Sequence, residues 1–274
     1  MTARQRDSAL AAGALALELS RWLDQRFSLP SADVPDRPIS EFTPEVAAAS
    51  VRSAWGLGEL PIRNMVHLLE AKGVRVFSLR QRCVEVNAFS LWVGRIPFAF
   101  LNCMKSAENS RFDAAHELGH LVLHRLDQAQ GREYEAQADQ FASAFLMPAA
   151  DVRAIANRIQ SLASLVALKR RWGTSVAALT YRLHTLGILS DWRYRSFCIE
   201  LSQRGFRKQE PEPIQREASQ ILDKAFTLLR LEGVSRSHVA RELHINPSDL
   251  SDLIFGLVMT ALDGDGGAQD NGAK

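Results

Sequence analysis

Cysteine is scarce in this 274-residue chain: Cys83, Cys103 and Cys198 are scattered, and none forms a C-x-x-C pair. Three such residues are too few for a disulfide framework, which points to a reducing, cytoplasmic setting. No apolar run approaches the ~20 residues that a membrane-spanning helix needs, so no membrane partner is expected. The Ala/Leu run from Ala9 to Leu17, preceded by Arg4 and Arg6, has the outline of a leader. However, Leu15, Leu19, Trp22 and Leu23 fall at i, i+4, i+7 and i+8, with Glu18, Arg21 and Asp24 on the other face. The run therefore reads as an amphipathic helix continuing to about Phe27. Charge of one sign is also missing overall, since 33 Lys+Arg stand against 31 Asp+Glu. That balance excludes a wholesale polyelectrolyte. The distribution is uneven, however: residues 149–210 hold 11 basic and 4 acidic side chains, while residues 211–274 hold 6 and 10. With 46% hydrophobic residues the chain can build one or two cores.

Pro30, Pro35, Pro38 and Pro44 make residues 28–44 an extended connector, so a first segment of residues 1–40 is expected to be a helix plus linker. Thr43 and Pro44 then open a helix as N-cap and first helical position. A second helix is predicted from Leu60 to Lys72, stopped by Gly73. Short strands follow at 74–79, 84–86, 89–93 and 96–101, the last two flanking Gly94-Arg95 as a type II′ hairpin. A small antiparallel sheet is the expectation. Next comes a helix from Ala107 or Ser110 to His124, with Ser110 and Asp113 spaced like a capping box, and another from Glu133 to Met147. From Asp151 on, only helical patterning is visible, at about 151–171, 175–187, 192–204, 214–232, 235–243 and 247–262. The Gly- and Asp-rich tail 263–274 reads as disordered.

His116-Glu117-Leu118-Gly119-His120 is the sharpest chemical feature. Histidines four apart share one helix face and can bind one zinc ion, while the intervening Glu117 reaches a water as general base. The plain alternative is a helix with two surface histidines. A catalytic zinc site needs a third protein ligand and an open fourth position. The next helix supplies candidates beside its Tyr134/Ala138/Phe141/Ala142/Phe145 stripe: Glu135 as ligand and Asp139 to orient a histidine through its second ring nitrogen. Glu133 is a rival ligand. His124 extends the histidine stripe by one turn as a supporting partner.

The run Arg111 to His124, the Glu-x-x-Ala-Asp-x-Phe-Ala segment from Glu135 to Ala142, and Phe145-Leu146-Met147-Pro148 resemble the ImmA/IrrE-type metallopeptidases. The resemblance extends over about residues 43–150, including Ala54-Trp55-Gly56-Leu57-Gly58. It implies an α+β fold: a zincin-like peptidase domain over 41–150, with zinc held by His116, His120 and Glu135 and Glu117 as base. An all-α region over 151–262 would follow. Proteolytic members of that family disable helix-turn-helix repressors, so a repressor is the implied protein partner. Many members carry a helix-turn-helix domain ahead of the peptidase domain; here only the Ala-rich helix precedes the connector. A peptide strand would dock near Phe98–Leu101.

Two C-terminal stretches have helix-turn-helix spacing. Lys169 to Leu183 carries Trp172-Gly173 within the basic segment 149–210, which reads first as a helical bundle packed on the peptidase domain with a solvated arginine surface and second as a DNA contact. Ser235 to Leu253 has the apolar skeleton, but Asp249 and Asp252 would face phosphates, which favours a protein contact. The competing functional reading is a DNA-binding regulator or antitoxin-like protein with a non-catalytic peptidase-like domain.

Overall fold

The computed structural model describes residues 3–79, 88–125 and 131–258. The strand expected at 84–86 and the tail 263–274 lie outside these residues. Helix α1 (Ala3–Asp24) leads through the proline-rich connector to α2 (Pro44–Ala54), α3 (Met65–Ala71) and strand β1 (Arg75–Ser78). Strands β2 (Phe89–Val93) and β3 (Ile96–Leu101) precede α4 (Ala107–Leu123) and α5 (Arg132–Leu146). The remainder is helical: α6 (Ala149–Ala154), α7 (Leu162–Lys169), α8 (Val176–Thr185), α9 (Asp191–Gln203), α10 (Gln220–Leu231), α11 (Arg236–Glu242) and α12 (Pro247–Ile254). This is the expected zincin-like α+β region with a helical region after it. Among the described residues no helix is long and apolar enough to cross a membrane.

The sheet differs from expectation in one respect. Its order is β1-β3-β2, and although β2 and β3 are antiparallel, β1 pairs with β3 in parallel, Val76 opposite Ala99 and Phe77 opposite Phe100. The hairpin forms because Gly94 takes the left-handed conformation (φ 61°) that the first position of a Gly-X turn requires. β1 joins the edge of β3 that the hairpin leaves open. β3, nominated above as a docking rim, is therefore the central strand, bonded on both sides. Burial follows: Phe98, Ala99, Phe100 and Leu101 are inside, and Phe89 stacks on Phe100 with ring centroids 4.4 Å apart.

α4 starts at Ala107 as one reading had it, but its cap differs, and so do other helix starts, including that of α10, which begins at Gln220 and not at 214. α3 begins at Met65, where Asn64 Oδ1 caps His67 N; the preceding carbonyls of Gly58, Leu60 and Ile62 are bonded instead by the guanidiniums of Arg52 and Arg111. α4 is capped by Ser106, not by a Ser110 box, since the Ser110 hydroxyl donates to Asn102 O. The predicted 151–171 helix is broken near Ile159, and Ser161 and Ser164 form a capping box that starts α7.

Residue 150 is no gap in the packing. Buried arginines and one lysine tie the later helices to the sheet region: Arg182 donates to Met147 O and grips Glu45 with both terminal nitrogens, and Arg111 donates to Trp172 O. Lys169, fully buried, donates to Glu108 on α4 at 2.7 Å and lies 3.2 Å from Glu210. The connector is built in as well, as Arg37 N and Ile39 N bond the last carbonyls of α4, at Val122 and Leu123.

Candidate metal centre

α4 and α5 pack closely because Gly119 and Ala138 meet. A Cβ on Gly119 would stand 3.2 Å from the Ala138 Cα and from the Phe141 ring. This contact lies between the two histidine turns, so it sets the distance from α4 to the carboxylates of α5. Strand β2, at the edge of the sheet among the described residues, holds the other flank of α4: the Ser90 hydroxyl donates to Glu117 O and the Trp92 indole to Leu121 O.

The structure brings His116, His120 and Glu135 together, with one donor atom from each inside a 4.8 Å group. His116 Nε2 and His120 Nε2 are 3.0 Å apart, and the Glu135 carboxylate lies 3.3 Å from the first and 3.8 Å from the second. Tetrahedral zinc with bonds of about 2.0–2.1 Å separates its ligand atoms by about 3.3–3.4 Å, a value these distances bracket. Glu133 is not in this group; it accepts instead from Gln137 at 3.5 Å.

Hydrogen bonding leaves the inward nitrogens as acceptors. His116 Nδ1 bonds the Asp139 carboxylate at 2.8 Å, so Nδ1 carries the proton and Nε2 is bare. His120 Nδ1 lies 3.0 Å from His124 Nδ1, and His124 Nε2 lies 2.9 Å from Gln137 Oε1. Since Gln137 Oε1 only accepts, His124 donates from Nε2 and accepts at Nδ1; His120 then donates from Nδ1 and presents a bare Nε2. Two lone pairs and a carboxylate converge on one point, an arrangement that requires a positive charge among them. The residues fit a zinc ion.

Charge is controlled by the same environment. Burial lowers His120 to about 3, helped by His116 and His124, keeping it neutral. Burial opposes charge on His116 too, but the Asp139 hydrogen bond and the carboxylates of Glu117, Asp139 and Glu135 leave its value raised. Glu117, fully enclosed, is pushed by burial up to about 7 against the pull of His116. Its Oε2 has no hydrogen-bond partner among the described residues. A carboxylate desolvated beside the histidine pair is suited to taking and returning a proton near neutrality.

Sequence reasoning overlooked Gln137, the end of the His120–His124 relay, and Ser90 and Trp92, which fix the helix to β2. Gln137 lies four residues after Glu133 and two after Glu135, but its partner His124 is on another helix, so spacing alone carried no signal.

The first helix-turn-helix-like stretch is largely internal, while the second buries only its apolar stripe. Trp172 is buried, Lys169 and Arg182 are consumed by carboxylates inside the protein, and Arg193 donates to the carbonyls of Ile159 and Gln160. Leu250, Leu253 and Ile254 turn α12 into the core.

No curated protein matches the chain. A family model does: residues 69–184 match the IrrE N-terminal-like domain, Peptidase_M78.

Proposed function

For a chain whose residues 69–184 match the IrrE N-terminal-like domain, Peptidase_M78, we propose a zinc-dependent endopeptidase that acts on a helix-turn-helix repressor. The observation that carries the catalytic part is the convergence of two bare imidazole nitrogens and the Glu135 carboxylate beside a buried, unpartnered Glu117 oxygen. His116, His120 and Glu135 would hold the metal. When bound, zinc supplies Lewis acidity to a water molecule and to the scissile carbonyl.

The chain's own residues do the rest. Asp139 and the His124–Gln137 relay lock the ring orientations, so both histidines keep their Nε2 lone pairs inward. Glu117 takes the proton of the attacking water at its carboxylate and returns it to the leaving amine. Among the described residues, β2 pairs with β3 along one side only, and it is β2 that is hydrogen-bonded to α4 beside Glu117. An extended substrate segment therefore adds to the sheet at β2. A folded repressor supplies such a segment from a linker or a locally opened helix.

The test uses the full chain loaded with zinc and a candidate repressor. Cleavage by the unmutated protein, and its loss by at least about a hundredfold in Glu117→Gln with zinc content unchanged, supports the reading. Cleavage that persists in Glu117→Gln would remove the base from the mechanism. Stoichiometric zinc that falls in both His116→Ala and Glu135→Ala checks the ligand set independently.

A further inference from the structure

A second concave site lies beside the N-terminal half of α4, between the start of α3, the α7–α8 turn and the extended segment 214–219. Its volume, about 680 Å³, is that of a small-molecule pocket. Five arginines line it against two carboxylates. Two of the five are already neutralised: Arg111 by Glu217 and Arg171 by Asp151. The other three have no buried carboxylate partner among the described residues. Among the described residues Arg216, half-buried, donates only to the Ser110 hydroxyl and to Lys105 O, neither of which carries charge. Arg63 makes no hydrogen bond or ion pair among the described residues, and Arg170 meets only the exposed Glu212, at 3.6 Å. Two guanidiniums without a carboxylate partner among the described residues, and a third held only by an exposed one, around one cavity form a polyanion site, because guanidinium matches phosphate oxygens in paired hydrogen bonds.

We propose that this cavity binds a phosphorylated small molecule of nucleotide size, with its phosphates on Arg63, Arg170 and Arg216 and its ring against the apolar wall of Pro61 and Ile214. A nucleic-acid duplex fits less well. It needs a continuous basic stripe, and the neighbouring Lys169 and Arg182 are buried in internal ion pairs. The occupant would bridge α3, the α7–α8 turn and the 214–219 segment. That segment is already fixed to α4 where Glu108 accepts Ile214 N and Arg111 grips Glu217. The site thus adjoins the helix that carries the histidines without sharing a residue with the metal centre.

The test is calorimetric titration and thermal melting of the zinc-loaded full chain with ADP, inorganic pyrophosphate and adenosine. ADP is expected to bind and raise Tm, pyrophosphate to bind more weakly, and adenosine to leave Tm unchanged. Arg63→Ala/Arg170→Ala alters two exposed side chains, so it keeps the fold and its zinc and weakens ADP by about tenfold or more. His116→Ala keeps ADP binding, which separates this cavity from the metal centre. No binding of ADP at millimolar concentration, or equal binding by the double arginine variant, overturns the proposal. So does salt-dependent retention of duplex DNA that ADP does not displace. None of these outcomes touches the zinc reading, whose measurement is metal content.

Discussion

Asp139 Oδ1 on α5 lies 2.8 Å from His116 Nδ1 on α4, so a carboxylate on one helix decides which ring nitrogen of the other is left bare. The bond needs no metal to form, and it prepares the acceptor before any ion arrives. Asp139→Ala frees the ring to rotate and to exchange tautomers. Zinc affinity is expected to fall about 10–100-fold in a chelator competition titration. Unchanged affinity would mean that packing alone orients the ring.

Gly119 makes the approach of the two helices possible. Gly119→Ala raises helix propensity by about 1 kcal/mol, but the new methyl meets Ala138 backbone at 3.2 Å, which cannot turn aside. Overpacking of this kind costs about 1–3 kcal/mol. The variant is expected to melt lower and to bind zinc more weakly, because α4 and α5 carry the ligands on opposite sides of that contact. A raised Tm with full zinc content would show that the helices can part without loss.

Lys169 lies between Glu108 and Glu210 and pairs with both, and it is completely enclosed. Lys169→Met leaves two carboxylates facing each other without it, although burial already pushes the Glu210 carboxyl up. A loss of about 3–5 kcal/mol is expected in urea unfolding, the cost of breaking a buried ion pair from one side. A loss below about 1 kcal/mol would show that proton uptake compensates fully.

Asp151 gives the chain a pH-dependent clasp. Hydrogen bonds from Arg171 hold its carboxyl below the ordinary range against a smaller effect of burial, with the Trp172 indole adding to them. A folded value below the unfolded one means that the stabilisation is present above the unfolded carboxylate value and is lost as pH falls through the folded one. Asp151→Asn is therefore expected to be less stable than the unmutated chain at neutral pH. Thermal melts across acid pH should show the difference shrinking. A difference constant from pH 7 to the acid limb would assign the effect to packing.

The metal-facing residues were legible because helix geometry is local. Four residues bring His116 and His120 to one face wherever the chain folds, and Thr43-Pro44 marks a helix start by its own backbone chemistry. The Gly94 turn was legible for the same reason. The parallel partner of β1 was not, since strand pairing joins residues about twenty apart and a period of two is the same in either direction. The Ser106 cap was hidden because Ser110 offers the same local pattern, and only the position of Asn102 O settles which serine caps.

By itself the sequence determined the H-E-x-x-H face, the acidic flank of α5, the hairpin and the helical nature of the C-terminal half. All of these follow from spacing within one element. Tertiary structure alone decided that Glu135 and not Glu133 meets the histidines, that Gln137 ends the His124 relay, and that Lys169 and Arg182 serve the core in place of a basic surface. Each depends on the distance between elements far apart in the chain, which is set by contacts such as Gly119 on Ala138 and by charges that lower their energy only when packing brings their partners close.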